Sequence, residues 1–183
     1  MKTKHALFSA LVLAIGSAVA ADLRSAYSEE RAPAGDVKLE LLKWTQFQER
    51  LANKKVKYTI VDAWSTTCGP CKENFPHVVQ MHKRFASKGL AVISLSLDDP
   101  EDKSAVAEAE RFLKQNKAEF TNILLNEGFG EGFEKLNIGA IPAVFVFGPD
   151  GKEVKRFTMD DPNNQFTYDD VEKAVVALLG EKS

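Results

Sequence analysis

The chain has 183 residues, of which 44% are hydrophobic and 27% charged, with a formal net charge of −2. That length suits one domain with a proper core and is too short for two, and the composition is that of a globular protein without repeats or low-complexity tracts. Lysines and arginines are interspersed with acids, so no basic cluster is available to neutralise phosphates and nucleic acid is excluded as a partner class.

At the N-terminus, Lys2 and Lys4 precede an uncharged apolar run from Ala6 to Ala20, and Ala18-Val19-Ala20 offers a small-residue cleavage site. This is the pattern of a secretory signal peptide over residues 1–20, the alternative being a retained membrane anchor, for which the run is short. Cleavage after Ala20 or Ala21 exposes no cysteine for lipid attachment, and loss of Lys2 and Lys4 takes the net charge to −4. Residues 21–36 are polar, carry Pro33 and Gly35, and read as a flexible lead-in to a domain spanning 37–180.

Val37 to Leu42 reads as a strand and Thr45 to Ala52 as a helix, with Phe47 and Leu51 four apart on one face. Val56 to Trp64 alternates and then turns continuously apolar around Ile60 and Val61, as a strand entering the middle of a sheet does. Lys72 to Ser87 reads as a helix with Phe75, Val78, Val79, Met81, His82 and Phe85 on its apolar face, Pro76 expected to kink it and Gly89 to end it. Leu90 to Leu97 is an apolar strand, Pro100 to Asn116 a charged amphipathic helix, and Glu119 to Leu125 a short extended piece. Residues 130–136 form a short helix, and Ala143 to Phe147 a buried strand that turns at Pro149-Asp150-Gly151 into Lys152 to Phe157. Thr167 to Leu179 closes the chain as a helix capped by Thr167, with Asp170 three residues on. A βαβα half followed by a helix, an antiparallel hairpin and a terminal helix predicts an α/β protein with a central mixed sheet flanked by helices.

The chain's two cysteines are Cys68 and Cys71. An exported protein ordinarily uses such a pair as a structural bridge, yet so small a ring gains the least from loop closure and is better suited to opening and closing. Cys68 precedes a helix, whose unpaired N–H groups and positive dipole end favour the thiolate that attacks disulfides. Cys71 lies one turn in on nearly the same face, placed to resolve what Cys68 has bonded. Pro70 suits the first helical turn and Gly69 leaves the approach to Cys68 uncluttered. Other readings remain open at this point. Cys68 and Cys71 with His77 or His82 could make part of a zinc site. A peroxidase would use hydroxyls of Ser65-Thr66-Thr67 and an arginine such as Arg84, but the preceding proline it needs is absent. A non-enzymatic module would use the surface around the cysteine pair to hold a client or a copper ion.

Two separated stretches resemble a known family. Val61-Asp62-Ala63-Trp64-Ser65-Thr66-Thr67-Cys68-Gly69-Pro70-Cys71-Lys72 is similar to the active-site segment of thioredoxin-like proteins, with Pro76 at the family's helix-kinking position. Gly139-Ala140-Ile141-Pro142-Ala143-Val144-Phe145-Val146-Phe147 and then Pro149-Asp150-Gly151-Lys152 is similar to the family's cis-proline loop, strand and hairpin. The resemblance covers residues 37–180, and two matches in the right order make chance a poor explanation. The signal segment, and a stretch at 100–125 inserted between the third strand and the following helix, resemble the exported TlpA/ResA type.

The resemblance implies a thioredoxin-like fold and an exported protein disulfide reductase, periplasmic or secreted, with no cofactor beyond the Cys68–Cys71 disulfide and no metal. Cys68 would be the nucleophile and Cys71 the resolving thiol. Asp62 would be the buried acid that accepts the resolving thiol's proton, a role suited to a carboxylate whose pKa burial raises. The residues alone also allow a strand-end carboxylate that takes only local hydrogen bonds. Trp64 would pack below the active-site turn, and the client-binding set would be Trp64, Gly69, Pro70, Ile141 and Pro142, with Pro142 cis and Ile141 offering its backbone. Disulfide-containing client proteins, such as an apocytochrome or a copper-site assembly protein, are the implied partners, with a membrane electron-relay protein as donor. The chain departs from the pattern at Thr67, where thioredoxins carry Trp, and at Asn74, where TlpA-like proteins often carry Glu, with Glu73 beside it. Gly69-Pro70 favours a reducing couple, about −270 mV if it follows thioredoxin.

Overall fold

The computed structural model describes residues 36–128 and 130–181; the signal-peptide reading at 1–20 and the lead-in reading up to residue 35 lie outside them. Six strands form one sheet: β1 (Leu39–Leu42), β2 (Tyr58–Trp64), β3 (Leu90–Ser96), β4 (Thr121–Leu125), β5 (Ala143–Phe147) and β6 (Glu153–Phe157). Their order across the sheet is β1-β4-β3-β2-β5-β6. The first four run parallel, and β5 and β6 are antiparallel to their neighbours. Among the described residues five α-helices accompany them: α1 (Trp44–Leu51), α2 (Gly69–Phe85), α3 (Lys103–Gln115), α4 (Glu131–Leu136) and, after the last strand, α5 (Tyr168–Leu179).

The period-2 alternation of β2 divides the core. Val61 and Ala63 join Phe47 and Leu51 of α1 and Leu136 of α4 on one face. Ile60 belongs with Val78, Met81 and Phe85 of α2 and with Tyr168, Val171 and Val175 of α5 on the other, where Trp64 joins Cys71, Phe75 and Leu113. Every residue of β2 from Thr59 to Trp64 is buried, because strands cover both its edges and helices both its faces. A central parallel strand so enclosed delivers the segment after Trp64 to the carboxyl edge of the sheet, where βα loops gather.

Three differences from the sequence reading have local causes. Residues 119–125, expected as a short extended piece of an inserted segment, supply an interior strand: β4 pairs with both β1 and β3, and Asn122 to Leu125 are buried. α3 begins at Lys103, after Pro100, because the Asp102 carboxylate accepts from the N–H groups of Ser104 and Ala105 at 2.8 and 3.2 Å and so caps the helix there. α2 begins at Gly69 rather than Lys72, so the motif itself forms its first turn, and the helix runs on through Pro76 to Phe85. The cap on α5 is as expected: Thr167 Oγ1 accepts from the Asp170 N–H at 3.3 Å while the Asp170 carboxylate accepts from the Thr167 N–H at 3.0 Å.

Candidate active site

Cys68 is the N-cap residue of α2, with extended backbone, and its N–H donates to the Ser65 carbonyl at 3.2 Å. Its Sγ accepts the Cys71 N–H at 3.2 Å, so a helix-terminal donor that lacks an intrahelical partner points at this sulfur. Cys68 and Cys71 are joined in a disulfide, their Cα atoms 5.3 Å apart. Cys71 is fully buried and Cys68 only partly, so an incoming sulfur reaches Cys68 and not Cys71. Gly69 and Pro70 are exposed beside it, and a Cβ at Gly69 would meet nothing within 4 Å. Across the opening, the Ile141 carbonyl oxygen lies 3.8 Å from Cys68 Sγ. The Ile141–Pro142 peptide bond is cis, with Pro142 buried and Ile141 partly exposed. Residues 73 positions apart in the chain thus border one groove of about 520 Å³, whose walls include Pro70, Leu97, Asp102 and Phe133.

Asp98 was not singled out in the sequence. The residue is 8% exposed and its carboxylate holds the loop before Cys68: the Thr66 N–H donates to both oxygens at 3.0 Å, the Thr66 hydroxyl to Oδ1 at 2.6 Å and the Ser96 hydroxyl to Oδ2 at 2.7 Å. Strand register makes this possible. Trp64 pairs with Ser96 in the parallel β2–β3 ladder, so the residues just past each strand meet at the same edge. An acid immediately after an apolar strand was the available signal, but nothing in the linear order says which loop it faces. Thr67 is exposed and shares a hydrogen bond with Ser65 at 3.1 Å, and the Asn74 amide donates to the Pro70 carbonyl at 2.9 Å, bracing the first turn of α2.

Asp62 is 0% exposed, on the same face of β2 as Ile60 and Trp64, and so lies under α2 between the stretch that packs Val78 and the stretch that packs Cys71 and Phe75. The Tyr168 hydroxyl donates to Asp62 Oδ1 at 2.6 Å, whereas Oδ2 is buried without a partner. Burial pushes the carboxyl pKa up to about 7, the Tyr168 hydrogen bond opposing the rise. Burial likewise raises the Tyr168 phenol, with the neighbouring Asp62 carboxylate adding to it. The alternative of a partly exposed strand-end carboxylate is therefore corrected: centre-strand burial leaves this oxygen no solvent.

Trp64 also requires correction as a client-binding residue. It is fully buried, its ring 5.5 Å from that of Phe75 and 4.9 Å from that of Phe112, and it supports the motif from below without reaching the surface. The histidines do not gather with the cysteines. His82 stacks edge-on to Phe120 at 5.3 Å and His77 lies beside Tyr168 at 6.1 Å. Among the described residues, no group of three or more His, Cys, Asp and Glu side chains is placed to hold a metal ion. Arg84, the arginine considered for a peroxidase, pairs with Glu172 near the C-terminal end of α2, away from Cys68, and the Thr66 hydroxyl is committed to Asp98. No helix among the described residues is long and apolar enough to cross a membrane.

A family model described as the AhpC/TSA family matches residues 30–156. The thiol-disulfide oxidoreductase ResA of Bacillus subtilis is 29% identical over 108 residues, covering 59% of this chain and 56% of that one. The sporulation thiol-disulfide oxidoreductase A of the same species is 27% identical over 128 residues, covering 70% of this chain and 74% of that one. The chain thus spans less than two thirds of the length of the ResA proteins of Bacillus subtilis and Bacillus cereus, 56% and 62%. Among solved structures, a Chlorobium tepidum protein described as a DsbE-type thiol:disulfide interchange protein superposes with a TM-score of 0.55 at 27% identity, covering 69% of this chain and 83% of that one. StoA of Bacillus subtilis superposes with a TM-score of 0.50 at 24% identity, covering 66% and 84%.

Proposed function

The chain belongs to the AhpC/TSA family, and from that premise and the geometry of its cysteine pair we propose that it is an exported thiol-disulfide oxidoreductase that reduces disulfides in client proteins. The observation that carries the reading is the partly exposed Cys68 at the N-terminus of α2, its sulfur facing the Ile141 carbonyl across an open groove while Cys71 stays buried behind it. In the reduced protein the Cys68 thiolate is stabilised by the Cys71 N–H and by the positive end of the helix. It attacks one sulfur of a client disulfide, forming a Cys68–client mixed disulfide and releasing the other client sulfur as a thiolate. Cys71 then gives up its proton, Asp62 being the acceptor, and attacks Cys68. The second client sulfur leaves, and the Cys68–Cys71 bond seen here is formed. Two electrons have passed from the protein to the client, and a membrane electron-relay protein returns them.

The client strand is held by groups flanking Cys68. Gly69 and Pro70 leave room for it, the Ile141 backbone offers a polar edge beside the cis Pro142, and Leu97 and Phe133 give the groove apolar walls. The signal segment at 1–20 supports action outside the cytoplasm, in the periplasm or beyond.

A redox titration of the mature protein, with trapping by a Cys71→Ser variant, tests the reading. A couple near −270 mV and a stable mixed disulfide on Cys68 are expected. A couple near −120 mV would reverse the direction of electron flow, and the absence of any exchange would leave a binding module.

A further inference from the structure

Building on that reading, we propose that Tyr168 is a positioning residue for the resolving step: its hydroxyl occupies Oδ1 of Asp62 and leaves Oδ2 as the one oxygen that takes the proton from Cys71. Tyr168 opens α5 and lies outside residues 30–156, so this partner comes from beyond the stretch the family model matches.

The buried carboxyl has few groups around it. From α5 comes Tyr168, whose hydroxyl donates to Oδ1 at 2.6 Å. α2 covers the same face of β2, where its Cys71 shares a buried cluster with Trp64, two residues on from Asp62, and its His77 ring lies 6.1 Å from that of Tyr168. β3 places Ser94 opposite Asp62, but the Ser94 hydroxyl donates to Asn122 Oδ1 at 2.9 Å and is spent there. β5 places the apolar Val144 on the other side. Against the burial that favours its neutral form, the Tyr168 hydrogen bond favours the ionised form of Asp62. Oδ2, buried and unpartnered, is the open acceptor.

The balance of the step is simple. The Cys71 S–H proton passes to Oδ2, directly or through one water, and the Cys71 sulfur bonds to Cys68 as the client thiolate departs. A charged acceptor that gives up a short hydrogen bond becomes more basic and holds its proton to higher pH, so the hydroxyl sets the pH at which Asp62 is free to accept. The position of the hydroxyl is set in turn by the start of α5, where the Thr167–Asp170 capping box fixes the residue immediately before Tyr168.

The test compares wild type with Tyr168→Phe, which keeps the ring and removes the hydroxyl. Reaction of the reduced protein with 5,5′-dithiobis(2-nitrobenzoate) releases one thiolate when Cys68 attacks and a second when Cys71 resolves. Infrared difference titration follows the Asp62 carboxyl band, assigned by its loss in Asp62→Asn. In Tyr168→Phe the carboxyl midpoint and the midpoint of the second phase both rise by about one pH unit, and the first phase is unchanged. Incorporation of 3-fluorotyrosine at position 168, a stronger donor of the same shape, moves both midpoints down and guards against a packing effect. An unmoved carboxyl midpoint in Tyr168→Phe overturns the proposal. A moved carboxyl midpoint with an unmoved second phase also overturns it, because the proton then does not pass through Asp62. Failure of the oxidoreductase reading itself would show differently, as the absence of a first phase in wild type.

Discussion

Replacing Asp62 with asparagine should remove a pH dependence of stability that the wild-type protein carries through its buried carboxyl. In the folded protein this group titrates near 7, against an ordinary value of 3.8. Below pH 3.8 both the folded and the unfolded chain hold the proton, and the stability associated with it is fully present. As pH rises from there, the unfolded chain releases the proton while the folded chain keeps it, so stability falls until the folded group also ionises near 7. At 1.36 kcal/mol per pH unit, that interval corresponds to about 4 kcal/mol. Asparagine does not titrate, so its stability relative to wild type should climb by about that amount between pH 4 and pH 8. The absolute gain at pH 8 is smaller, because the new amide nitrogen has no acceptor where Oδ2 now stands, and an orphaned buried donor costs about 1–3 kcal/mol at every pH. Guanidinium unfolding of the oxidised proteins from pH 4 to pH 9 measures the difference. The disulfide keeps the cysteines from titrating, and His82, whose pKa burial lowers, is common to both proteins and cancels. Parallel stability curves would show that Asp62 is ionised throughout and would refute a raised pKa as the basis of its proton-accepting role.

Asp98→Ala takes away the acceptor of the Thr66 N–H and of two hydroxyls, and should cost about 2–4 kcal/mol in denaturant unfolding, with faster alkylation of reduced Cys68 as its loop loosens. Trp64→Ala empties the space beneath the motif and should destabilise by about 3–5 kcal/mol; a loss under 1 would mean the ring is not packed as described. Gly69→Ala places a methyl group in open space, so stability should stay within about 0.5 kcal/mol of wild type, and a large loss would contradict the exposed first turn of α2. Thr167→Ala breaks the cap of α5 at a cost of about 1 kcal/mol, seen as a fall in melting temperature.

The sequence alone carried the local elements and the reactive pair. Period-2 and period-3.6 patterns are properties of neighbouring residues, so β2, β5 and α5 were legible nearly to the residue, as was the Thr167 cap. The CxxC spacing and the proline in the first helical turn likewise place both sulfurs at one helix end without reference to the rest of the chain. What the tertiary structure decided are the relations between segments far apart in sequence. Residues 121–125 look like a short extended piece until β1 and β3 are seen to flank them. Asp98 reaches Thr66 only because two parallel strands end in register, and Tyr168 reaches Asp62 across 106 positions only because α5 packs on the face of β2 that α2 also covers. Burial follows the same rule. Trp64 and Asp62 occupy alternate positions of an apolar strand, and it is the packing of helices on that face that withdraws one from the client and leaves the other with a single free oxygen. Hydrogen-bond partners and desolvation depend on three-dimensional neighbours, which periodicity does not encode.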